Sequence, residues 1–144
     1  MPLDLFDWAA ARPAPQPLAT APRVMRGTLS HRRGRCAEDG VAREYQRRGY
    51  LLAARRWRGS GGEIDLIFRG RDGLVFVEVK AAPTFDAAIA RILPRQIARI
   101  CAAAEEYLAG EPAGSLTEIR FDAALVDAGG RLRIVEAAFG PDGW

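Results

Sequence analysis

The sequence predicts an α/β fold built on a mixed β-sheet. Three observations lead there. Two alternating apolar runs, EIDLIF and LVFVEVK, are joined through Asp72-Gly73, a strong hairpin signal. A helical stripe follows them, and two more strand-like segments follow the helix. The resulting order, α-β-β-β-α-β-β, places helices between strands and so implies a sheet covered by helices.

Each element has its own local reason. Residues 1–30 are rich in Ala and Pro, with five Pro by position 22, and lack either periodicity. They are expected to be a flexible extension, with one domain over 31–144. From Gly34 to Arg48 the pattern is helical: Val41, Ala42 and Tyr45 share a face, and Gly49 is a natural stop. Tyr50–Trp57 reads as a strand, and Arg58-Gly-Ser-Gly-Gly62 as a turn. Strands at Glu63–Arg69 and Leu74–Lys80 form the hairpin. Residues 86–92 suit a short helical turn. Pro94 fits the first turn of a helix that ends before Gly110, with Ile97, Ile100, Cys101, Ala104 and Leu108 as its stripe. Ile119–Val126 and Leu132–Ala137 are strands around Gly129-Gly130.

Composition narrows the function classes. Apolar residues make up 49% of the 144, enough for a core. No run of about 18 apolar residues suggests a membrane span, and the N-terminus lacks the basic and apolar regions of a signal peptide. Cys36 and Cys101 are widely separated and read as reduced thiols of a cytoplasmic protein. With one histidine, His31, a zinc site is disfavoured. The net charge is only +3, but residues 23–58 hold eleven Arg against Glu38, Asp39 and Glu44. Such a block suits a phosphate backbone, with Arg32, Arg33, Arg35, Arg55, Arg56 and Arg58 as candidate contacts; a solvated surface is the plainer explanation.

Of 21 basic residues, Lys80 is the one lysine. An ammonium is a compact point charge, unlike the planar guanidinium fork, so position 80 is a candidate for a specific role. Alternation puts Phe76, Glu78 and Lys80 on one face of their strand, with Glu78 and Lys80 about 7 Å apart at Cα, and Val75, Val77 and Val79 on the other. In the preceding strand Ile64, Leu66 and Phe68 are expected to share a face, with Asp65 beside Glu63 and Ile67 on the other. The hairpin brings Asp65 toward Glu78. Glu38 precedes Val41, Ala42 and Tyr45 by helical spacing and joins the buried stripe. Converging carboxylates need a cation, and oxygen ligands suit Mg²⁺ or Mn²⁺. Beside an ammonium, such an ion can activate water and stabilise a pentavalent phosphate. The structural alternatives are an edge strand with a cross-strand ion pair, and for Glu38 a helix-start position favoured by the dipole.

The stretch GGEIDLIFRGRDGLVFVEVK, with GRCAEDGVAREY, RRGYLLAARRWR, PRQIARICAAAEEYL and EIRFDAALV around it, resembles the YraN-like family of small bacterial proteins. It is also similar to archaeal Holliday-junction resolvases. The resemblance covers about Gly34 to Asp127. It implies a restriction-endonuclease-like fold: a mixed central sheet with an antiparallel hairpin, flanked by helices. It further implies a site of Glu38, Asp65, Glu78 and Lys80, supported by Gln96, with metal on Asp65, Glu78 and Glu38. Two positions depart from the family pattern. Ala81-Ala82 stand where a small polar residue and Arg are usual, and Ala37 where Gly often precedes the helical Glu. The expected activity is Mg²⁺-dependent endonucleolytic hydrolysis of DNA, branched or structured DNA included. The alternatives are a nucleic-acid-binding module on a nuclease fold without activity and a protein-interaction adaptor. The sequence leaves a homodimer open.

Overall fold

The computed structural model describes residues 25–143, with side chains from Gly34 onward. Residues 1–24 of the expected extension, and the side chains of Arg32 and Arg33, lie outside the described residues. Helix α1 spans Met25–Arg47, beginning nine residues before the sequence signal at Gly34. Strands β1 (Leu51–Arg58), β2 (Glu63–Arg69) and β3 (Leu74–Ala81) follow. Then come a short helix α2 (Phe85–Ala90), helix α3 (Pro94–Leu108), a single 3₁₀ turn at Gly114–Leu116, and strands β4 (Ile119–Val126) and β5 (Leu132–Val135).

The five strands lie in sequence order. Pairs β1–β2, β2–β3 and β4–β5 are antiparallel, whereas β3–β4 is parallel across the α2–α3 connection. The α/β class, the mixed sheet and the antiparallel hairpin flanked by helices are therefore as expected. Strand β3 is central and bonded on both sides, which removes the edge-strand explanation of Glu78 and Lys80.

Helices cover both sheet faces: α1 lies on one, and α3 with the short α2 on the other. On one, Val41, Ala42 and Tyr45 of α1 pack on Leu66, Phe68, Val75, Val77 and Ala124. On the other, Ile97, Ile100, Ala103, Ala104 and Leu108 of α3 pack on Ile67, Phe76, Phe121 and Leu125. The α1 stripe is the one the helical spacing marks; in α3 Ile97, Ile100, Ala104 and Leu108 are as expected, but Ala103 is buried where Cys101 is only partly so. Tight turns set the depth of α3: a Cβ at Gly62 would sit 2.9 Å from the Arg99 carbonyl oxygen, so only glycine lets the β1–β2 turn press on the helix.

Two details depart from simple alternation. Strand β5 stops at Val135 rather than Ala137, because Ala137 turns into the left-handed region at φ 51° and gives its N–H to Asp122 Oδ1 at 3.0 Å. In β2, Ile64 joins the α3-side core instead of sharing a face with Leu66 and Phe68. The break coincides with an irregularity across the ladder. Arg56, between the pairs Arg55↔Leu66 and Trp57↔Ile64, also has a left-handed backbone at φ 47°. An arginine there is strained, and such residues persist only where their surroundings hold them.

Candidate active site

The twist at Arg56 and Asp65 separates β2 from β3. Their paired register ends at Leu66↔Val77. The Val79 N–H beyond it has lost its place in the ladder, and Asp65 Oδ2 accepts it at 2.8 Å. One carboxylate thus does the work of a missing strand bond and is fixed in the notch where the strands part.

Glu78 faces it. Its side chain is only 4% exposed, in the middle strand of the sheet. Its Oε2 accepts from the amide of Gln96 at the start of α3, and Lys80 Nζ lies 3.3 Å from the same oxygen. Asp65 and Glu78 are within hydrogen-bonding reach of one another. Burial, then the charge of Asp65, pushes the Glu78 carboxyl up to about 8, against the opposing pull of Lys80. Burial also raises Asp65, although the Val79 N–H, Glu78 and Lys80 each oppose it. Burial and the neighbouring acid thus both oppose ionisation of Glu78, as expected of two acids placed so close together.

Glu38 stands at the edge of this pair. Its carboxylate binds Arg56, Nε to Oε1 at 3.0 Å. Burial raises its pKa, the Arg56 bond lowers it, and the Asp65 charge raises it again. The structure thus gathers Asp65, Glu78, Lys80 and Gln96, and links Glu38 to them through Arg56 and the field of Asp65. Among the described residues, no group of three or more His, Cys, Asp or Glu is placed to hold one metal ion together. The donor set here is two carboxylates, all oxygen. That fits Mg²⁺, which commonly takes one or two protein carboxylates and completes its shell with water and phosphate.

The candidate phosphate contacts fall differently. Arg55 pairs with Asp39 at 2.8 Å, Arg56 with Glu38, and Arg58 with Glu63 at 3.0 Å, while Arg35 is exposed. At the end of β3, Ala82 is buried and the Ala81 carbonyl accepts from Arg91 Nη1 at 2.8 Å. A guanidinium from the end of α2 thereby stands next to Lys80.

One acid escaped the sequence reading. Asp122 on β4 is fully buried. Oδ1 accepts from Arg120 Nε (2.8 Å) and the Ala137 N–H (3.0 Å); Oδ2 accepts from Tyr45 Oη (2.6 Å) and Arg120 Nη2 (2.9 Å). The signal was available, since an acid inside FDAALV is as anomalous as Asp65 inside EIDLIF. It differs in chemistry: all its acceptor positions are filled by the protein, so it is architecture.

The family model described as "Uncharacterised protein family UPF0102" matches residues 37–126, a span that includes Glu38, Asp65, Glu78, Lys80 and Gln96. A UPF0102 protein of Ruegeria pomeroyi is 57% identical over 115 residues, 80% of this chain and 94% of that one. One from Cereibacter sphaeroides is 54% identical over 115 residues, 80% of this chain and 98% of its own. Among solved structures, a repair endonuclease from Pyrococcus abyssi aligns with a TM-score of 0.34 and 16% identity, over 78% of this chain and 41% of that chain; so slight a likeness carries no argument. With the model spanning most of the chain and relatives matched along nearly their whole length, the chain belongs to the UPF0102 family.

Proposed function

We propose that this protein is a metal-dependent endonuclease that hydrolyses DNA phosphodiesters. The observation that supports this reading most is the pair of buried, facing carboxylates, Asp65 and Glu78, beside the one lysine and in a notch between two strands. A purely structural pair of acids is expected to find basic partners enough to ionise; here one lysine faces two acids, and burial with the neighbouring charge pushes the Glu78 carboxyl upward. Perturbed groups of this kind are candidates for function.

The roles follow from position. Asp65 and Glu78 would hold Mg²⁺ or Mn²⁺, which when bound supplies water activation and charge stabilisation at the scissile phosphate. Gln96 fixes the Glu78 carboxyl. Lys80 is poised to hold the attacking water or a phosphate oxygen. Glu38 supports the site directly or through water, and Arg56 orients it. A second reading, a nucleic-acid-binding module without activity, is favoured by the one fact that Glu38 is held by Arg56 and completes no three-acid cluster.

Incubating the purified chain with linear, forked and four-way DNA, with Mg²⁺, Mn²⁺ or chelator, tests both. Metal-dependent cleavage that disappears in Lys80→Ala supports the endonuclease. Binding without cleavage supports the module, and neither binding nor cleavage removes both.

The raised Glu78 pKa gives a pH prediction. Its folded pKa, about 8, lies above the ordinary value of 4.5. The stability it contributes is therefore complete below about pH 4.5 and lost as pH rises through 8. Metal binding requires the ionised form, so stabilisation by Mg²⁺ should grow over the same window. At ten times its Kd, Mg²⁺ should add about 1.4 kcal/mol. Denaturant unfolding at pH 5.5 and 8.5, with and without Mg²⁺, checks this; an Mg²⁺ effect independent of pH would count against the carboxylate pair as its site.

A further inference from the structure

We propose that Arg95 and Arg99 of α3, with Arg91 beside them, form the surface that holds the DNA backbone at the carboxylate pair. This rests on the endonuclease reading and names the face that its substrate meets.

The sequence directs attention to the dense arginine block of residues 23–58, but three of its candidates are engaged internally. Arg55, Arg56 and Arg58 each meet an acid of the same domain within 3.0 Å. The segment RILPRQIAR, 91–99, is the opposite case: three arginines and no acid. Arg95 and Arg99 are exposed. No ion pair or hydrogen bond links either side chain to another described residue.

Their arrangement is unfavourable in the free protein. At i and i+4 they are neighbours on the helix surface, where like charges repel. They also occupy the opening turns of α3, where cations oppose the helix dipole, and that helix has no acid in its first turn to offset them. Departure from these local rules, without an internal compensation, is expected where an external partner supplies one. An extended polyanion satisfies several such cations at once.

The position matters as much as the charge. Gln96, between the two arginines in sequence, donates to Glu78, so the helix carrying them is tied to the acid pair. Gly62 presses against Arg99 with no room for a Cβ, which fixes the height of that turn above the sheet. Arg91 is held on the Ala81 carbonyl, one residue beyond Lys80. Lys80, Arg91, Arg95 and Arg99 therefore line the approach to Asp65 and Glu78. A backbone lying on them passes the carboxylate pair.

The test is salt-dependent binding of a fluorescent DNA duplex to the full chain, in chelator so that nothing is cleaved. R95A/R99A is compared with wild type and with R43A/R71A. The control removes the same charge from exposed positions, Arg43 on α1 across the sheet from α3 and Arg71 in the β2–β3 turn, roughly 20 Å from Lys80 by strand rise. R95A/R99A should lower the slope of log affinity against log salt by about 2, since each phosphate contact contributes about 0.9. The control should keep the wild-type slope. Thermal melts check folding, and R95Q/R99Q replaces the double alanine if that variant melts early. An unchanged slope for R95A/R99A, or equal losses in both doubles, overturns the proposal and leaves the endonuclease reading intact. A wild type that neither binds nor cleaves DNA overturns both.

Discussion

Asp122→Ala is expected to remove about 3–5 kcal/mol of stability, the cost of deleting a fully buried carboxylate and leaving its several donors without an acceptor. Asp122 is the hub of four hydrogen bonds in the α1-side core. Without it, the Tyr45 hydroxyl and the Ala137 N–H lose their acceptor. Arg120 keeps a 3.2 Å bond to Tyr50 Oη, its place over the Tyr50 ring, and a distant Glu136, 3.8 Å away. For a domain with a total stability of about 5–15 kcal/mol, this is a large fraction. Tyr45→Phe is the contrasting variant. It removes one donor and leaves Asp122 three, so it should cost only about 1 kcal/mol, with the Tyr45–Phe68 ring stack retained. Urea unfolding of the two variants orders them. Equal losses would show that the network is no more than one hydrogen bond deep.

Asp122 also shows what the sequence made legible and what it did not. The hairpin, both core helices and the faces of β3 follow from periodicity and from Asp72-Gly73, because those signals are local. The acids in apolar strands are local anomalies too, and Asp65, Glu78 and Lys80 stand together as their spacing suggests. What tells Asp65 from Asp122 is not local. One acid meets a second acid across a parted ladder, whereas the other meets Arg120, Tyr45 and a backbone N–H brought by β5 and its continuation. Arg120 stands two residues before Asp122 and is local, but Tyr45, the Ala137 N–H and the acid that faces Asp65 are not written in the flanking residues. The same holds for the arginines: density along the chain picked out 32–58, but which guanidiniums face an acid depends on how β1 lies against α1. The break in alternation at Ile64 lies opposite the left-handed backbone of Arg56 on the neighbouring strand, and a pattern read along one strand cannot contain it.

Asp65→Asn separates catalysis from architecture with a single substitution. If Asp65 and Glu78 hold a metal ion, the variant should lose cleavage by at least about a thousandfold, as removal of one member of a catalytic unit does. Its stability without metal should be unchanged or higher. The amide oxygen can still accept from Val79 N–H, which Asp65 holds at 2.8 Å, and the repulsion with Glu78 is gone. Glu78, freed of a charged neighbour and still 3.3 Å from Lys80, should ionise at lower pH. The fall in wild-type stability between pH 4.5 and 8 should flatten accordingly, since that fall comes from the raised Glu78 pKa. Stabilisation by Mg²⁺ should be lost or sharply reduced, because it arises from binding to the native state alone. If these charges are structural instead, Lys80 depends on both acids and the change leaves its ammonium undercompensated in a partly buried notch. Stability would then fall by several kcal/mol at every pH and metal concentration. Unfolding of wild type and variant at pH 5.5 and 8.5, with and without Mg²⁺ and alongside cleavage, separates the two. A metal-independent loss in the variant, with no Mg²⁺ effect on the wild type, would make the pair a piece of the fold.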